Sequence, residues 1–155
     1  MGGSCYVIDY DGRFRFAATP EAVWAAMERL DQFERWWGWL GGFDVQGDGL
    51  RAGSVLRGTV APPLPYRMSV QVDVTRCQPA RLVDAEVSGD LEGPASLRIG
   101  ADGRGETLVD VAWTLEMRQA AMRLASRVAH PLLRWGHDRL VDSTVESFRA
   151  RLGAE

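Results

Sequence analysis

The chain contains no lysine, and its 18 basic residues are all arginines scattered along 155 residues. Aspartate and glutamate together number 21, so the net charge is −3 and the isoelectric point lies near 5.4. Domains that bind nucleic acids usually carry a basic excess on one surface. The charge balance therefore argues against a nucleic-acid partner.

Sequence signatures of cofactors, metals and covalent catalysis are also missing. The chain has no glycine-rich phosphate loop, no nucleophile elbow and no zinc signature. Its two cysteines, Cys5 and Cys77, form neither a metal-ligand spacing nor a disulfide framework. Two histidines alone, His130 and His137, make a poor metal site. We expect no metal and no cofactor, and no catalytic residue is assigned.

Long apolar runs are absent as well. No stretch of about 18 apolar residues could cross a bilayer, and the N-terminus lacks the charged and then apolar pattern of a secretory signal. We therefore expect no membrane insertion and a cytoplasmic location. Apolar residues make up 46% of the chain and charged residues 25%, which is ordinary for globular proteins. The length fits one domain with a real core, over residues 1–155.

The strongest positive signal is a change in the period of the apolar residues. Residues 6–16 alternate with period two, which predicts a half-buried strand with a bulge near Gly12. Thr19 is then a good N-cap, Pro20 suits the first helical position and Glu21 suits the positive helix end. A short helix should follow, with a second short helix opening at Asp31.

Most of the chain from residue 43 to residue 117 is predicted to form antiparallel strands. Period-two alternation and turn residues place these strands at residues 43–47, 54–60, 68–74, 82–88, 95–99 and 107–117. Asp84 and Glu86 lie on the opposite parity to the apolar residues of their strand. We expect both carboxylates to face solvent.

Residues 122–152 change to the helical period of 3.6. Pro131 removes a backbone donor, so we expect a break or kink near His130 and a final helix from Pro131 to about Leu152. One apolar stripe of this helix contains two polar exceptions, His137 and Thr144. The order of elements predicts an α+β protein in which a curved antiparallel sheet wraps around the final helix.

Two segments resemble a known superfamily. Residues 14–24 read Phe-Arg-Phe-Ala-Ala-Thr-Pro-Glu-Ala-Val-Trp, and their P-E-x-V-W entry is similar to that of START-like proteins. That superfamily includes the birch-pollen allergen type, lipid-transfer START domains and polyketide cyclase/dehydrase proteins. Residues 133–140 resemble the final helix of bacterial cyclase/dehydrase-like members. The resemblance spans residues 6–152 and implies a helix-grip fold with a hydrophobic cavity between sheet and helix. It brings no invariant catalytic set.

Three tryptophans occur within four residues of a glycine-flanked segment, residues 36–43. The segment is either a plug of the core or an aromatic wall or lid of a cavity. Three such side chains cannot share one helix face, so at least one should lie at a surface or pocket edge. Trp113, on the apolar face of the last strand, is likewise either core or cavity wall.

His137 is the most informative polar side chain. It is either a buried histidine satisfied by a sheet backbone group or a carboxylate, or a polar group of the cavity that orients a ligand or transfers a proton. Asp138 follows it directly, but adjacent residues point about 100° apart on a helix and make a poor pair. The candidate ligand-binding residues are Trp37, Tyr66, Met68, Val70, Trp113, Leu133, His137, Leu140 and Thr144.

Two classes of function stay open at this point. The favoured one is binding of a small hydrophobic or aromatic molecule, lipid or polyketide-like, by a monomer or homodimer. The alternative is a polyketide cyclase or dehydratase that uses a cavity His or Tyr for proton transfer. A lone histidine in the cavity wall favours binding. A histidine within reach of Arg57, Tyr66 or an acid favours chemistry.

Overall fold

The first described element of the chain is a long strand, and the last is a longer helix. The computed structural model describes residues 7–61, 67–117 and 120–153, with the backbone alone for residues 120–133 and 153. The strands are β1 (Val7–Phe16), β2 (Leu40–Gln46), β3 (Val55–Val60), β4 (Met68–Gln78), β5 (Leu82–Gly89), β6 (Leu91–Ala101) and β7 (Thr107–Met117). The helices are α1 (Pro20–Met27), a 3₁₀ turn (Leu30–Gln32), α2 (Phe33–Trp36) and α3 (Ala120–Gly153).

The short helices begin where the capping residues predict. The Thr19 hydroxyl accepts a hydrogen bond from the Ala22 amide at 3.2 Å, and Pro20 occupies the first turn. This segment carries the chain from β1, at one edge of the sheet, to β2, at the other edge. The apolar side chains Val23, Trp24 and Leu30 are buried beneath it.

All strand pairs are antiparallel, and the sheet order is β1-β7-β6-β5-β4-β3-β2. Register shifts interrupt β2 between Gly41 and Asp44, and β4 between Val74 and Arg76. Bulges of this kind bend a strand and increase its twist. They help the sheet to curve around α3. The antiparallel sheet with its long final helix confirms the predicted helix-grip architecture.

Several details of the strands differ from the sequence-based expectations. The register of β1 against β7 runs without a shift from Val7 to Phe16, so there is no bulge at Gly12. A Cβ on Gly12 would lie 2.5 Å from the Tyr10 hydroxyl, and the glycine therefore leaves room for that ring. Strands β2, β4 and β6 are longer than expected, because β2 begins at Leu40, β4 continues to Gln78 and β6 runs from Leu91 to Ala101.

The expected start of the final helix at Pro131 is wrong. The backbone is helical from Ala120 to Gly153, and Pro131 lies inside that helix. Proline removes one donor, but its fixed φ is close to the helical value. The helix is therefore longer than the apolar stripe that predicted it. No helix in the described residues is both long and apolar enough to span a membrane.

The interior packs as two groups of apolar side chains rather than one. The larger group surrounds Phe16, Trp24, Trp36 and Phe148, beneath the short helices and the C-terminal half of α3. The smaller group surrounds Ile8, Val87, Leu115 and Met117, at the other end of the sheet. Side chains from both groups line the space between the sheet and α3.

Candidate functional site

A cavity of about 510 Å³ lies between the sheet and α3. This volume is within the range of small-molecule sites, roughly 300–1,000 Å³. Strands β1 and β3–β7, helix α1, the aromatic segment and α3 all contribute to its wall. Nearly every side chain of the wall is apolar: Ile8, Phe14, Phe16, Val23, Met27, Phe33, Leu50, Val60, Met68, Val70, Val72, Val87, Leu91, Ala95, Leu97, Val109, Val111, Leu115, Met117, Leu140, Val141, Val145 and Phe148.

Most of the candidate residues lie on this wall. Seven of them line the cavity: Trp37, Met68, Val70, Trp113, His137, Leu140 and Thr144. Tyr66 and the side chain of Leu133 are outside the described part of the chain. The alternating strand residues and the i, i+3, i+4, i+7 stripe of α3 thus meet across one space. Their role in ligand binding stays a prediction.

The aromatic segment divides between the two alternatives, since it contributes one side chain to the core and two to the cavity wall. Trp36 is buried in the core and makes edge contacts with Phe148, at a ring distance of 6.3 Å. Trp37 and Trp39 line the cavity, and their rings stack at 5.6 Å with an angle of 13°. The rings of Trp36 and Trp37 lie at 81° to each other, so one enters the core and the other the cavity wall.

His137 belongs to an aromatic cluster at the cavity wall. The Trp113 indole N–H donates to His137 Nε2 at 3.1 Å. Tyr10 lies opposite Trp113 on β1, stacks on its ring at 4.9 Å and meets the His137 ring edge-on at 5.1 Å. Burial raises the pKa of the Tyr10 phenol, and the carboxylates of Asp138 and Asp142 raise it further. Tyr10 is therefore a neutral phenol at neutral pH.

Asp138 does pair with His137, contrary to the expectation from helix geometry. His137 Nδ1 lies 3.0 Å from Asp138 Oδ1. Rotation of both side chains overcomes the divergence of their Cα–Cβ bonds. Because Nε2 accepts from Trp113, the ring proton must sit on Nδ1, where it is donated to Asp138. Both nitrogens of His137 are thus occupied within the protein.

The remaining polar groups of the described wall are two indoles and one hydroxyl. Trp37 Nε1–H donates to the Thr144 carbonyl at 3.2 Å, and the Thr144 hydroxyl donates to the Leu140 carbonyl at 2.7 Å. Trp39 differs, because its Nε1–H is buried and has no hydrogen-bond partner among the described residues. A buried donor left unpaired costs roughly 1–3 kcal/mol.

Charged side chains stay outside the described wall of the cavity. Arg57 is exposed and donates to Gln71 at 2.8 Å on the outer face of the sheet. Glu86 is exposed, and Asp84 is bound by Arg98 at 2.7 Å, as their parity predicted. In the described part of the chain, no three His, Cys, Asp or Glu side chains are arranged to hold a metal ion.

Much of the apolar wall, including Trp39, was missing from the candidate set, and so was Tyr10, which contacts Trp113 and His137 beside the cavity. Tyr10 shares the parity of the buried residues of β1, and this alternation was a usable signal. Trp39 was one of three adjacent tryptophans, and nothing in the sequence distinguished it from Trp36. Only the turn after α2 decides which rings reach the cavity.

Comparisons with solved structures show the same fold. A crystal structure of a Thermus thermophilus protein is 14% identical, covers 95% of this chain and 98% of that one, and has a TM-score of 0.75. The Zhui aromatase/cyclase from Streptomyces sp. R1128 is 12% identical, with coverage of 96% and 94% and a TM-score of 0.72. Norcoclaurine synthase from Thalictrum flavum, in complex with dopamine and hydroxybenzaldehyde, is 11% identical, with coverage of 98% and 90% and a TM-score of 0.65.

The search of curated proteins finds no match. The family comparison is positive: the model of the family described as polyketide cyclase / dehydrase and lipid transport matches residues 8–153, almost the entire chain. This match agrees with the START-like resemblance and with the helix-grip architecture. The chain therefore belongs to the polyketide cyclase / dehydrase and lipid transport family.

Proposed function

We propose that this protein binds a small apolar or aromatic molecule in the cavity between the sheet and α3. The observation that carries the proposal is the cavity of about 510 Å³, whose described wall consists almost entirely of aliphatic and aromatic side chains. An apolar ligand that fills such a space gains roughly 25 cal/mol per Å² of buried apolar surface before the costs of association. The family description, which includes lipid transport, supports the same class of ligand.

The test is a titration with fatty acids, flavonoids and polycyclic aromatic compounds. Trp37, Trp39 and Trp113 line the cavity, so tryptophan fluorescence should respond to its occupation. At a ligand concentration of about 100 times Kd the fold should gain about 2.7 kcal/mol, or roughly 5–10 °C in Tm. N-acetyltryptophanamide titrated in parallel controls for absorption by the ligand. Unchanged fluorescence and unchanged Tm across the panel would overturn the proposal.

An enzymatic function is the second candidate, and the His137–Asp138 contact of 3.0 Å is what favours it. An acid next to a cavity histidine is the arrangement expected for proton transfer in a cyclase or dehydratase. Against it, the Nε2 lone pair already accepts the Trp113 N–H, and the Asp138 side chain is 49% exposed. Binding therefore has the stronger support.

The variant His137→Phe separates the two candidates, since it approximately keeps the volume and removes the polar contacts. A binding protein with this change should fold and still take apolar ligands, with altered preference. An enzyme that uses His137 as acid or base should fold but lose turnover by about 10²–10⁴-fold. Retained turnover on a polyketide-like substrate would exclude His137 from the chemistry.

We further propose that residues 1–155 act as a single ligand-binding domain in the cytoplasm, as a monomer or homodimer whose partner is the small ligand. The acidic charge balance supports a role without nucleic acid.

A further inference from the structure

We infer that protonation of His137 weakens ligand binding, because it breaks the hydrogen bond between Trp113 and His137 in the wall of the cavity. The inference rests on the proposed binding function and concerns the regulation of that site by pH. The proton acts on the protein and not on the ligand, so the effect does not depend on which apolar molecule is bound.

The first step is the chemistry of the bond. The Trp113 indole N–H donates to His137 Nε2 at 3.1 Å, and both side chains line the cavity. The bond thereby connects β7 to α3 at the wall. An indole nitrogen donates only, so the bond exists only while Nε2 keeps its lone pair. A proton on Nε2 places two donors against each other, and the contact opens.

The second step is the other ring nitrogen. Nδ1 of His137 lies 3.0 Å from Asp138 Oδ1 and donates its proton to that carboxylate. The carboxylate accepts this proton whether the ring is neutral or charged. Protonation therefore leaves the contact with Asp138 in place and changes only the contact with Trp113. The negative carboxylate also compensates the charge that the ring gains.

The third step is the set of charged and titratable groups around the ring. On α3, Arg134 Nε lies 3.6 Å from Asp138 Oδ1, and Asp142 follows one turn later. Strand β1 contributes the Tyr10 phenol, edge-on at 5.1 Å, and β7 contributes the uncharged indole. Burial and then the two carboxylates raise the pKa of Tyr10, so the phenol stays neutral. Of these side-chain types, only histidine ordinarily changes charge between about pH 5 and pH 8. The His137 side chain is 11% exposed, so protons from solvent reach it.

The fourth step links the bond to the ligand. The Trp113 ring is held by stacking on Tyr10 at 4.9 Å and by the bond to His137. When the bond opens, the indole N–H turns toward another acceptor, because a buried donor without a partner is unfavourable. The ring then leaves the surface against which a ligand packs. The ligand therefore prefers the neutral histidine, and by linkage its affinity falls as the pH falls through the titration of His137.

The experiment measures the affinity of N-phenyl-1-naphthylamine, an uncharged fluorescent probe, from about pH 8 to about pH 5. The nitrogen of this diarylamine is too weakly basic to be protonated in that range. Affinity for the wild-type protein should fall by about 3- to 10-fold, the usual worth of one neutral hydrogen bond. Circular dichroism at each pH verifies that the fold persists.

Two variants separate the bond from other effects of acid. Trp113→Phe removes the donor and keeps His137, so its affinity for the probe should be the same at both ends of the pH range. His130→Gln is the matched control, because His130 is the only other histidine of the chain, and it should keep the wild-type dependence on pH. An equal fall of affinity in Trp113→Phe would overturn the inference. A wild-type affinity that does not change with pH, or a loss of the dependence in His130→Gln, would overturn it too.

NMR spectroscopy without ligand tests the bond directly and does not require that Trp113→Phe folds. In the wild-type protein labelled with ¹⁵N-tryptophan, the Trp113 indole proton should move upfield at the pH at which the His137 ring titrates. An indole proton that stays in place over the whole range overturns the inference and leaves the proposed function intact. If the probe binds at no pH, the proposed function fails, and the indole proton still decides whether the bond depends on protonation.

Discussion

At the scale of single residues, the core and the cavity wall share side chains. Phe148 is 8% exposed, packs edge-on against Phe16 at 5.5 Å and also borders the cavity. Such a residue supports the fold with one face and the site with the other. Its removal enlarges a void that already exists, rather than opening a new one.

Phe148→Ala should lower the free energy of unfolding by about 3 kcal/mol, the low end of the usual 3–5 kcal/mol for a buried phenylalanine. The lower value is expected because part of the ring already faces empty space. Urea unfolding measures the change, with Glu146→Ala on the exposed face of α3 as the control, expected within about 0.5 kcal/mol of wild type. A loss well under 1 kcal/mol for Phe148→Ala would show that the ring is not part of the core.

The ionisation of Asp102 makes the free energy of unfolding depend on pH in the acidic range. At the β6–β7 hairpin its carboxylate accepts the amides of Arg104 at 2.8 Å and Glu106 at 3.1 Å and also binds the Arg15 guanidinium. The hydrogen bonds from the backbone amides of Arg104 and Glu106 and the positive charge of Arg15 hold the pKa of Asp102 below its ordinary value of 3.8. The ionised carboxylate therefore stabilises the fold above that value, and the contribution disappears as pH falls through the lowered pKa.

Asp102→Asn keeps the acceptor oxygen and removes the titration. The variant should be less stable than wild type at neutral pH, and its stability should fall less steeply below about pH 4. Urea midpoints measured from about pH 6 down to about pH 3 provide the comparison. Curves that remain parallel over that interval would contradict the assigned role.

At the scale of elements, two backbones approach closely in the middle of the sheet. Gly93 in β6 has φ +148°, and a Cβ built on it would lie 2.0 Å from the Thr114 carbonyl oxygen of β7. The opposing atom is backbone, so the sheet would have to shift to admit any side chain. Gly100 in the same strand has open space at the corresponding position.

Gly93→Ala should therefore reduce the free energy of unfolding by at least about 2 kcal/mol, from steric clash and an unfavourable φ. Gly100→Ala is the matched control and should stay within about 0.5 kcal/mol of wild type. Denaturant unfolding measures the free energy of unfolding of both variants. Equal values for Gly93→Ala and Gly100→Ala would contradict the close approach of the two backbones.

The helix α3 contains a proline, although proline normally ends or kinks a helix. Pro131 lies well inside the helix, which continues for many residues on both sides. Pro131→Ala should restore one backbone donor and raise the free energy of unfolding by about 1–2 kcal/mol, less than the full proline cost because the unfolded chain also gains freedom. Thermal unfolding followed by circular dichroism is the measurement. A loss of stability would instead support a helix that begins at Pro131.

At the scale of the whole molecule, the cavity lined by both apolar groups is a cost to stability that an apolar ligand would offset. Lining atoms that face empty space lose their packing partners. Filling the void from within the protein should therefore stabilise the free protein and remove the site, a trade seen generally between stability and function.

Val111→Phe tests this trade, because Val111 lines the cavity from the middle of β7. The larger ring should raise the free energy of unfolding by about 1 kcal/mol and weaken apolar ligands by at least about 10-fold. Thr114→Phe, which adds the same bulk to an exposed position of β7, should leave ligand affinity unchanged. Unimpaired binding by Val111→Phe would place the ligand elsewhere.

The predictable part of the site consists of residues whose orientation follows from a local period. Met68, Val70 and Trp113 reach the cavity because apolar strand residues of one parity face the helix. Leu140 and Thr144 do so because they share one helical stripe with His137. The order of strands and helices was predictable for the same reason.

The sequence by itself determined the α+β class, the capped start of α1, the alternation of β4 and β7, and the face of α3 that is buried, since each depends on neighbours a few residues apart. Tertiary structure alone decided the rest. The pairing of Trp113 with His137 and the division of the core into two groups depend on side chains that are far apart in the chain. Even the adjacent Asp138 pairs with His137 through side-chain rotation, which helix geometry does not specify. Periodicity shows which way a residue faces, whereas the atom that it meets there is set by how the sheet curves around the helix.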